Sequence, residues 1–146
     1  MAYRKLGVDN KHRRSMLATL TKQVVMNGSI TTTETRAKEA RKFVDKMITS
    51  GKKGDLVSRR KALAFLHNDT KVVDEIFNNL APRFANRNGG YTQILKLSER
   101  RGDDALMVIL KLMDEEKKEE KKEEKKAAKK ESKKEKKETK EEKTEE

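Results

Sequence analysis

Residues 28–50, GSITTTETRAKEARKFVDKMITS, decide the fold, because they join a β-type run to the clearest helix of the chain. The β-branched segment 29–33 predicts a short strand. Thr31 with Glu34 predicts a capping box at the start of the helix, and Thr33 is an alternative start. After this start, apolar residues recur at spacings of three and four, which predicts one buried helix face. That face consists of Ala37, Ala40, Phe43, Val44, Met47 and Ile48.

The same helix also carries a basic face. Lys38, Arg41 and Lys42 follow one another at spacings i, i+3 and i+4, so they share one side of the helix. This spacing predicts a cationic patch with no acid at its centre. For one helix alone, an ordinary solvated face is an equally good interpretation, and the rest of the chain has to decide.

The net positive charge of the chain lies in its first 113 residues. The 146 residues include 37 Lys and Arg and 25 Asp and Glu, which gives a net charge of +12. Residues 114–146 contain 14 Lys and 14 acidic residues, so the first 113 contain 23 basic and 11 acidic residues. So high a charge opposes folding by self-repulsion, and a polyanion would neutralise it. Nucleic acid is therefore the leading class of partner.

The composition also excludes several classes of protein. Without cysteine there is no disulfide framework, no thiolate metal site and no thiol catalysis. The N-terminal residues 1–14 include no apolar run typical of a signal peptide, and no segment approaches the roughly 18 apolar residues of a membrane span. We expect a soluble, cytoplasmic protein with no membrane partner.

The two histidines do not indicate catalysis or a metal site. The sequence places no Ser, Asp or Glu to act with His12. His67 stands at the predicted end of a helix, where capping or partial burial is expected. Two histidines so far apart, without cysteine, form no zinc signature. We expect no catalytic residue, no cofactor, no metal ion and no small-molecule substrate.

The N-terminal residues predict a basic arm followed by a helix. Residues 1–8 are short and basic, and we expect a flexible arm that carries Arg4 and Lys5. Asp9 or Asn10 can cap the helix that follows. Its expected core face consists of Met16, Leu17, Leu20 and Val24.

The first turn of this helix is crowded with the basic residues Lys11, His12, Arg13 and Arg14. Cations at a helix N-terminus oppose the helix dipole, at a cost of about 0.3–1 kcal/mol each. A bound phosphate would reverse that balance, because backbone N–H groups and basic side chains would act on one anion. We therefore predict a phosphate contact at this turn.

The middle of the chain predicts two more helices. Residues 51–54, Gly-Lys-Lys-Gly, predict a loop in which Lys52 and Lys53 clamp a phosphate, although the segment does not match the nucleotide-binding P-loop. Asp55 is the expected cap of a helix that extends to His67. This helix is expected to place Leu56, Leu63 and Leu66 inward, and it carries Arg59, Arg60 and Lys61 as basic residues.

Asp69 is the expected cap of the next helix, which Pro82 ends or bends. The inward residues of that helix are expected to be Val72, Val73, Ile76, Phe77 and Leu80. The glycine-closed connection 83–90 then carries Arg83 and Arg87.

The C-terminal part of the domain predicts a hairpin. Segments 91–98 and 105–112 suit strands, and residues 98–104 form the charged loop between them. Arg100 and Arg101 lie at its tip, where a solvated turn is the ordinary interpretation. Among the aromatic residues, Tyr3 and Tyr91 are candidates for stacking on a base, whereas the four phenylalanines are expected in the core.

Together these elements predict an α+β fold. We expect a single compact domain at 1–113, with about four helices packed on a small sheet formed by the short strand after the first helix and the C-terminal hairpin. Residues 114–146 form a low-complexity Lys and Glu tail whose only apolar residues are Ala127 and Ala128. Such a segment cannot bury a core, and we predict that it is disordered.

Several short motifs resemble the bacterial large-ribosomal-subunit protein family L-seventeen. They are Arg4-Lys5-Leu6-Gly7, His12-Arg13-Arg14, Ile30-Thr31-Thr32-Thr33 with Arg36-Ala37-Lys38-Glu39, Lys53-Gly54-Asp55-Leu56, and Arg87-Asn88-Gly89-Gly90-Tyr91-Thr92 through Arg100-Arg101-Gly102-Asp103. The resemblance follows the order of the chain over nearly all of residues 1–113. It implies a structural protein without enzyme activity that binds large-subunit ribosomal RNA, near the exit of the peptide tunnel and beside other ribosomal proteins.

The resemblance also implies which residues face RNA. Carried over by position, they are Arg4, Lys5, His12, Arg13, Arg14, Arg36, Lys38, Arg87, Tyr91, Arg100 and Arg101. The charge pattern independently adds Lys11, Arg41, Lys42, Lys52, Lys53, Arg59, Arg60 and Arg83. We expect phosphate and shape contacts to outweigh base recognition.

Two other classes of function remain as alternatives. A free DNA- or RNA-binding protein in regulation or nucleoid packing would use the same basic surface, and it would not sediment with ribosomal subunits. A hydrolase or nuclease would need converging acids, or a base beside a nucleophile, and the sequence shows only scattered acids.

Overall fold

The computed structural model describes residues 4–113, and the predicted disordered tail and Tyr3 lie outside this part of the chain. The helices are α1 (Asn10–Asn27), α2 (Glu34–Lys53), α3 (Leu56–Phe65), α4 (Thr70–Asp74) and α5 (Ala81–Arg83), with a π-helical segment (Glu75–Leu80) between the last two. The strands are β1 (Ser29–Thr33), β2 (Thr92–Glu99) and β3 (Leu106–Leu112). Because α4, the π-helical segment and α5 are consecutive, they form the fourth of the predicted helices. The α+β prediction is confirmed.

The three strands form one antiparallel sheet in the order β1-β3-β2. Leu110 lies at its centre, between Ile30 of β1 and Ile94 of β2. Leu110 is fully buried, so this side of the sheet faces the core. The pairing of β2 with β3 shifts between Lys96 and Glu99, where β2 contains one extra residue. Such a bulge bends the hairpin just before its tip.

The start of the chain follows the prediction closely. Asp9 is the N-cap of α1, and its carboxylate accepts a hydrogen bond from the Lys11 backbone N–H at 3.1 Å. Gly28 ends the helix with φ 73°, a left-handed conformation that glycine adopts without strain. Of the expected core face of α1, Leu17 and Val24 are fully buried.

The predicted capping box at the start of α2 is wrong. Thr31 belongs to β1 and pairs with Ile109, so its side chain is not at the helix terminus. Thr33 is the N-cap, as in the alternative prediction, and its side chain makes no capping hydrogen bond. The strand at 29–33 is confirmed at both of its ends.

Helix α2 packs against α1 and the sheet with the predicted apolar face. Five of the six predicted residues on that face are buried, namely Ala37, Ala40, Val44, Met47 and Ile48. The sixth, Phe43, is half-buried and stacks on the ring of Phe65 with centroids 5.0 Å apart. The fully buried carboxylate-bearing residue Glu39 lies beside this face.

The prediction of a loop at 51–54 is wrong, because most of this segment is helical. Gly51, Lys52 and Lys53 form the last turn of α2, and only Gly54 leaves it, with φ 70°. A Cβ atom at Gly51 would lie 3.0 Å from Cγ2 of Ile76 and 3.2 Å from its carbonyl oxygen. Gly51 therefore allows α2 to approach the π-helical segment, and it is not needed for a turn.

Helix α3 differs from the prediction at both ends. Leu56 was expected in the core but is 63% exposed, and the first buried residue of α3 is Ser58. The helix ends at Phe65, and His67 follows in the left-handed region with φ 54°. His67 is exposed, so its predicted partial burial is wrong.

The helical stretch around Pro82 continues through the proline. Asp69 caps α4, as predicted, by accepting a hydrogen bond from the Val72 N–H at 3.5 Å. The N–H of Ala81 donates to the carbonyl of Ile76, five residues earlier, which is the wide π-type turn. A widened turn reduces the clash of the Pro82 ring with the preceding turn, so the chain needs no break there.

None of the helices within residues 4–113 is long and apolar enough to cross a membrane.

Candidate nucleic-acid interface

A cavity of about 460 Å³ lies where three segments of the chain meet. The N-terminal arm contributes Arg4 and Leu6, the start of α2 contributes Arg36, and the hairpin loop contributes Arg100 and Ala105. Thr33, Thr35 and Asp103 complete the wall. We call this cavity the arginine cleft, because three arginine residues line it.

The arm is held in place, which corrects the prediction of a flexible segment for residues 4–8. The Val8 N–H donates to the carbonyl of Lys5 at 3.4 Å, and both Leu6 and Gly7 have positive φ. These contacts form a tight turn. Leu6 packs against the hydrophobic core. The turn therefore anchors the arm and presents Arg4 at the cleft.

Arg13 connects the arm to two helices. Its Nε donates to the Arg4 carbonyl at 2.7 Å, and its Nη2 donates to the Glu39 carboxylate at 2.8 Å. Only 11% of the Arg13 side chain is exposed. Arg13 was predicted to contact RNA, but the structure places its guanidinium inside the protein, where it joins the arm, α1 and α2.

Glu39 is shared between two cations. Lys42 donates to its second carboxylate oxygen at 2.8 Å, while 1% of the Glu39 side chain is exposed. Burial raises the pKa of Glu39, but the hydrogen bond and charge of Lys42, together with those of Arg13, outweigh it, and the pKa lies below its ordinary value. The carboxylate is therefore ionised and forms the centre of a buried polar bridge.

The basic face of α2 contains acids, which corrects the predicted patch without an acid at its centre. Lys38 lies 2.9 Å from Glu34, and Arg41 lies 3.8 Å from Asp45. With Lys42 on Glu39, all three predicted members have a carboxylate neighbour within α2. These ion pairs could have been predicted from the sequence, because the two residues of each pair are three or four positions apart on the helix.

Several cations near the start of α2 lower the pKa of Glu34. The hydrogen bond from Lys38 lowers the pKa of Glu34, and the charges of Lys38, Lys96 and Arg4 lower it further against the effect of desolvation. Lys96 was missed by the sequence analysis. In the sheet, Lys96 lies opposite the buried residue Val108, but the Lys96 side chain is exposed.

The pKa of Asp45, unlike that of Glu34, lies above its ordinary value. Burial raises the pKa of its carboxyl, and the charge of Arg41 and the Thr92 hydroxyl, which donates at 3.3 Å, compensate only in part. This carboxylate ties α2 to the first residue of β2.

The hairpin tip holds a bidentate ion pair. Arg100 donates from Nε to one oxygen of Asp103 at 3.0 Å and from Nη2 to the other at 2.6 Å. These hydrogen bonds lower the pKa of Asp103 to about 2. Arg100 is thereby fixed at the cleft, while Arg101 is exposed beside it.

The other aromatic and basic candidates contribute to packing. Tyr91 is 2% exposed, and its ring packs on that of Phe84 with centroids 5.3 Å apart, so in this structure the ring is not accessible for stacking on a base. Lys52 donates to the Arg87 carbonyl at 2.7 Å. Arg83 donates to the Met113 carbonyl at 3.1 Å.

Helix α3 carries a further ion pair. Arg59 contacts Asp74 and lies over the Phe77 ring, with 5.7 Å to its centroid. Its neighbour Arg60 is exposed. Arg59 therefore serves the contact between α3 and the following helical stretch, and Arg60 remains open to solvent.

Eight of the predicted cations are exposed and have no carboxylate within 4 Å among residues 4–113. They are Arg4, Lys5, Lys11, Arg14, Arg36, Lys53, Arg60 and Arg101. His12 is exposed as well.

These exposed cations fall into two groups. Most lie where Arg13 and the arginine cleft bring together the arm, the starts of α1 and α2, and the hairpin loop. We call this surface the basic end. It consists of six of these cations and of Arg100, which is paired with Asp103. The six are Arg4, Lys5, Lys11, Arg14, Arg36 and Arg101. Lys53 lies 17 residues beyond Arg36 along α2, or about 25 Å away. Lys53 and Arg60 form the second group, because α3, which carries Arg60, begins just after the end of α2.

No three His, Asp or Glu side chains within the described range 4–113 are grouped so as to hold a metal ion.

Comparison with known proteins assigns the chain to a family. The family model described as ribosomal protein L17 matches residues 16–113. A large ribosomal subunit protein bL17 of Ligilactobacillus salivarius is 59% identical over 127 residues, covering 78% of this chain and 100% of that protein. Proteins of the same name from Leuconostoc mesenteroides and Lactobacillus helveticus are each 54% identical, covering 78% and 77% of this chain and 100% of each relative. The chain belongs to the ribosomal protein L17 family.

Proposed function

We propose that this protein is a structural constituent of the large ribosomal subunit that binds ribosomal RNA through the basic end. Its relatives carry the name of large-subunit proteins, and the charge of this chain suits the same role. In this proposal the protein contributes to subunit assembly and translation, lies in the cytoplasm on the ribosome, and has no catalytic role.

Two observations carry the proposal, namely the surplus of cations over residues 4–113 and the collection of seven cations at the basic end. Residues 4–113 contain 23 basic and 11 acidic residues, so twelve cations lack a carboxylate even if every acid is paired. Seven exposed or loop cations collect at the basic end, three of them around one cleft. Phosphate oxygens are the natural partners of such converging guanidinium groups.

The ion pairs of the protein refine the predicted contacts. Arg13 and Lys42 hold Glu39, and Arg59 holds Asp74, so these three cations primarily stabilise the fold. The buried Tyr91 is not part of the proposed interface. Lys53 and Arg60 would contact a different RNA segment from the basic end, because α2 separates them by its length.

We further propose that neighbouring large-subunit proteins, near the exit of the peptide tunnel, cover surface that the RNA leaves open. Leu95 and Leu97 on β2 are 41% and 47% exposed, and such apolar side chains suit protein contacts better than phosphates.

Sedimentation of cell extract at moderate salt tests the proposal. The full chain is expected in large-subunit fractions, and it should leave them as salt is raised, because phosphate contacts weaken with ionic strength. If the protein instead remained free or sedimented with the nucleoid, the alternative of a regulatory or nucleoid-packing protein would replace the ribosomal proposal.

A further inference from the structure

We propose that the arginine cleft binds one unpaired nucleotide of RNA, with its phosphate on the guanidinium groups and its base against Leu6 and Ala105. This inference rests on the proposed RNA binding and names the RNA element that one part of the basic end recognises.

The charge of the cleft suits a phosphate. Arg4, Arg36 and Arg100 approach one cavity, and Asp103 is the one carboxylate in its wall. Asp103 is occupied on both oxygens by Arg100, so it does not balance the other two guanidinium groups. Arginine binds phosphate through pairs of parallel N–H donors. Arg100 uses its pair on Asp103, whereas Arg4 and Arg36 have no carboxylate within 4 Å among residues 4–113, so their donors are open to a phosphate.

The volume of the cleft exceeds what a phosphate alone requires. At about 30 Å³ of liquid volume per water molecule, 460 Å³ corresponds to about fifteen waters. Pockets for small organic ligands begin at about 300 Å³. The cleft can therefore take a sugar and a base together with the phosphate.

The wall of the cleft combines apolar residues with residues that carry hydroxyl groups. Leu6 and Ala105 provide apolar surface for the face of a base. Thr33 and Thr35 add hydroxyl groups, and Thr33 is not used as a helix cap by its side chain. Hydroxyl groups can donate to or accept from a base edge or a ribose 2′-OH.

An unpaired nucleotide fits this arrangement better than a duplex. In an RNA helix the base faces are stacked on one another, so a base cannot enter a protein cavity. An unstacked nucleotide can turn its base outward and place base and phosphate in one pocket. The cleft is also preformed, because Arg13 holds the Arg4 carbonyl and Asp103 holds Arg100, so little ordering is required on binding.

The inference is tested with the full chain and two RNA hairpins, one fully paired and one with a single bulged nucleotide. At equal salt, the bulged hairpin is expected to bind about tenfold more tightly. Ala105→Leu fills the cleft without changing charge, and it should abolish this preference. Thr35→Val, which removes one exposed hydroxyl at constant shape, should reduce the preference and serves if Ala105→Leu lowers stability. Lys71→Ala removes an exposed cation outside the cleft and serves as a control for a general change in charge, and the preference should remain.

Backbone amide shifts of Thr33 and Thr35 in NMR spectra supply an independent readout. They should change with the bulged hairpin and remain nearly constant with the paired one. Equal affinity for both hairpins, or a preference unaffected by Ala105→Leu, would overturn the inference. So would displacement of the bulged hairpin by a glutamate-rich peptide that shifts the same amides more strongly, because the cleft would then serve an acidic protein segment.

The outcome for the cleft is distinct from that for the proposed function. Large-subunit ribosomal RNA that binds while the hairpin preference is absent would remove only the inference about the cleft. Failure of ribosomal RNA itself to bind would remove the proposed function.

Discussion

Arg13 on α1 and Glu39 on α2 are joined by a hydrogen bond of 2.8 Å from Nη2 to Oε2, although 26 positions separate them in the sequence. The same guanidinium holds the Arg4 carbonyl. Through this one side chain, the arm, the first turn of α1 and the second turn of α2 keep fixed positions. The geometry of the basic end therefore depends on an ion pair beneath it.

Glu39→Gln tests the stability that this bridge contributes. The change leaves Arg13 largely buried without its counter-charge, and hydrogen bonds to charged groups contribute about 1.5–3 kcal/mol. We expect the free energy of unfolding in urea to fall by about 1–3 kcal/mol. Most of this loss should come from Arg13, because Lys42 is partly exposed and solvent screens its interaction with Glu39. Glu99→Gln, at an exposed glutamate of β2, is the control and should have little effect. An unchanged unfolding free energy for Glu39→Gln would show that the bridge is energetically neutral.

The same bridge predicts a dependence of stability on pH. The pKa of Glu39 is lower in the folded protein than its ordinary value of 4.5. A lowered pKa stabilises the fold above the unfolded pKa, and this contribution is lost as the pH falls through the folded pKa. The difference in unfolding free energy between the wild type and Glu39→Gln should be constant above about pH 5.5 and shrink on acidification. A difference that grew as the pH fell would contradict the assigned ionised state.

Gly51→Ala tests the close approach of α2 to the π-helical segment. Alanine favours a helix over glycine by about 1 kcal/mol, so an unhindered site would gain stability. Here the new Cβ would lie 3.0 Å from an Ile76 methyl group and 3.2 Å from a backbone oxygen. Overpacking of this kind costs about 1–3 kcal/mol, and we expect a net loss of stability in thermal unfolding.

Ser50→Ala, one position earlier in the same helix, is the control for helix propensity. Ser50 is half-buried, and its change to alanine should be neutral or slightly stabilising. A Gly51→Ala protein as stable as Ser50→Ala would mean that Ile76 moves aside without cost.

Tyr91→Phe tests whether the Tyr91 hydroxyl makes a hydrogen bond to RNA, because phenylalanine keeps the ring. Because the ring is buried against Phe84, it cannot stack on a base while the protein is folded. We expect the affinity for large-subunit ribosomal RNA to stay within about twofold of the wild type, measured by filter binding at fixed salt. A tenfold loss of affinity at unchanged melting temperature would restore Tyr91 to the interface.

The local elements could be predicted from the sequence because their signals are local. The strand at 29–33, the caps Asp9 and Asp69, and the apolar face of α2 depend on residues within a few positions of one another. The α+β fold followed from these periodicities.

The long-range contacts could not be predicted in this way. Nothing near Arg13 in the sequence indicates that its partner is Glu39, and nothing near Gly51 indicates that Ile76 packs on it. The sequence does not distinguish a buried arginine from an exposed one. The predicted RNA-binding residues therefore included cations that stabilise the fold as well as cations that face solvent. The separation into two groups along α2 likewise required the structure.

The salt dependence of binding to large-subunit ribosomal RNA tests the central claim most directly. The triple variant Arg14→Ala, Arg36→Ala and Arg101→Ala removes three exposed cations of the basic end, and Lys46→Ala, Lys61→Ala and Lys71→Ala is a control with the same change in charge. The plot of log affinity against log salt should be shallower by about 2–3 for the first variant, since each phosphate contact contributes close to one unit of slope or less. The control should keep the wild-type slope. Equal slopes for both triple variants would contradict the account, because the RNA would then respond to total charge and not to the basic end.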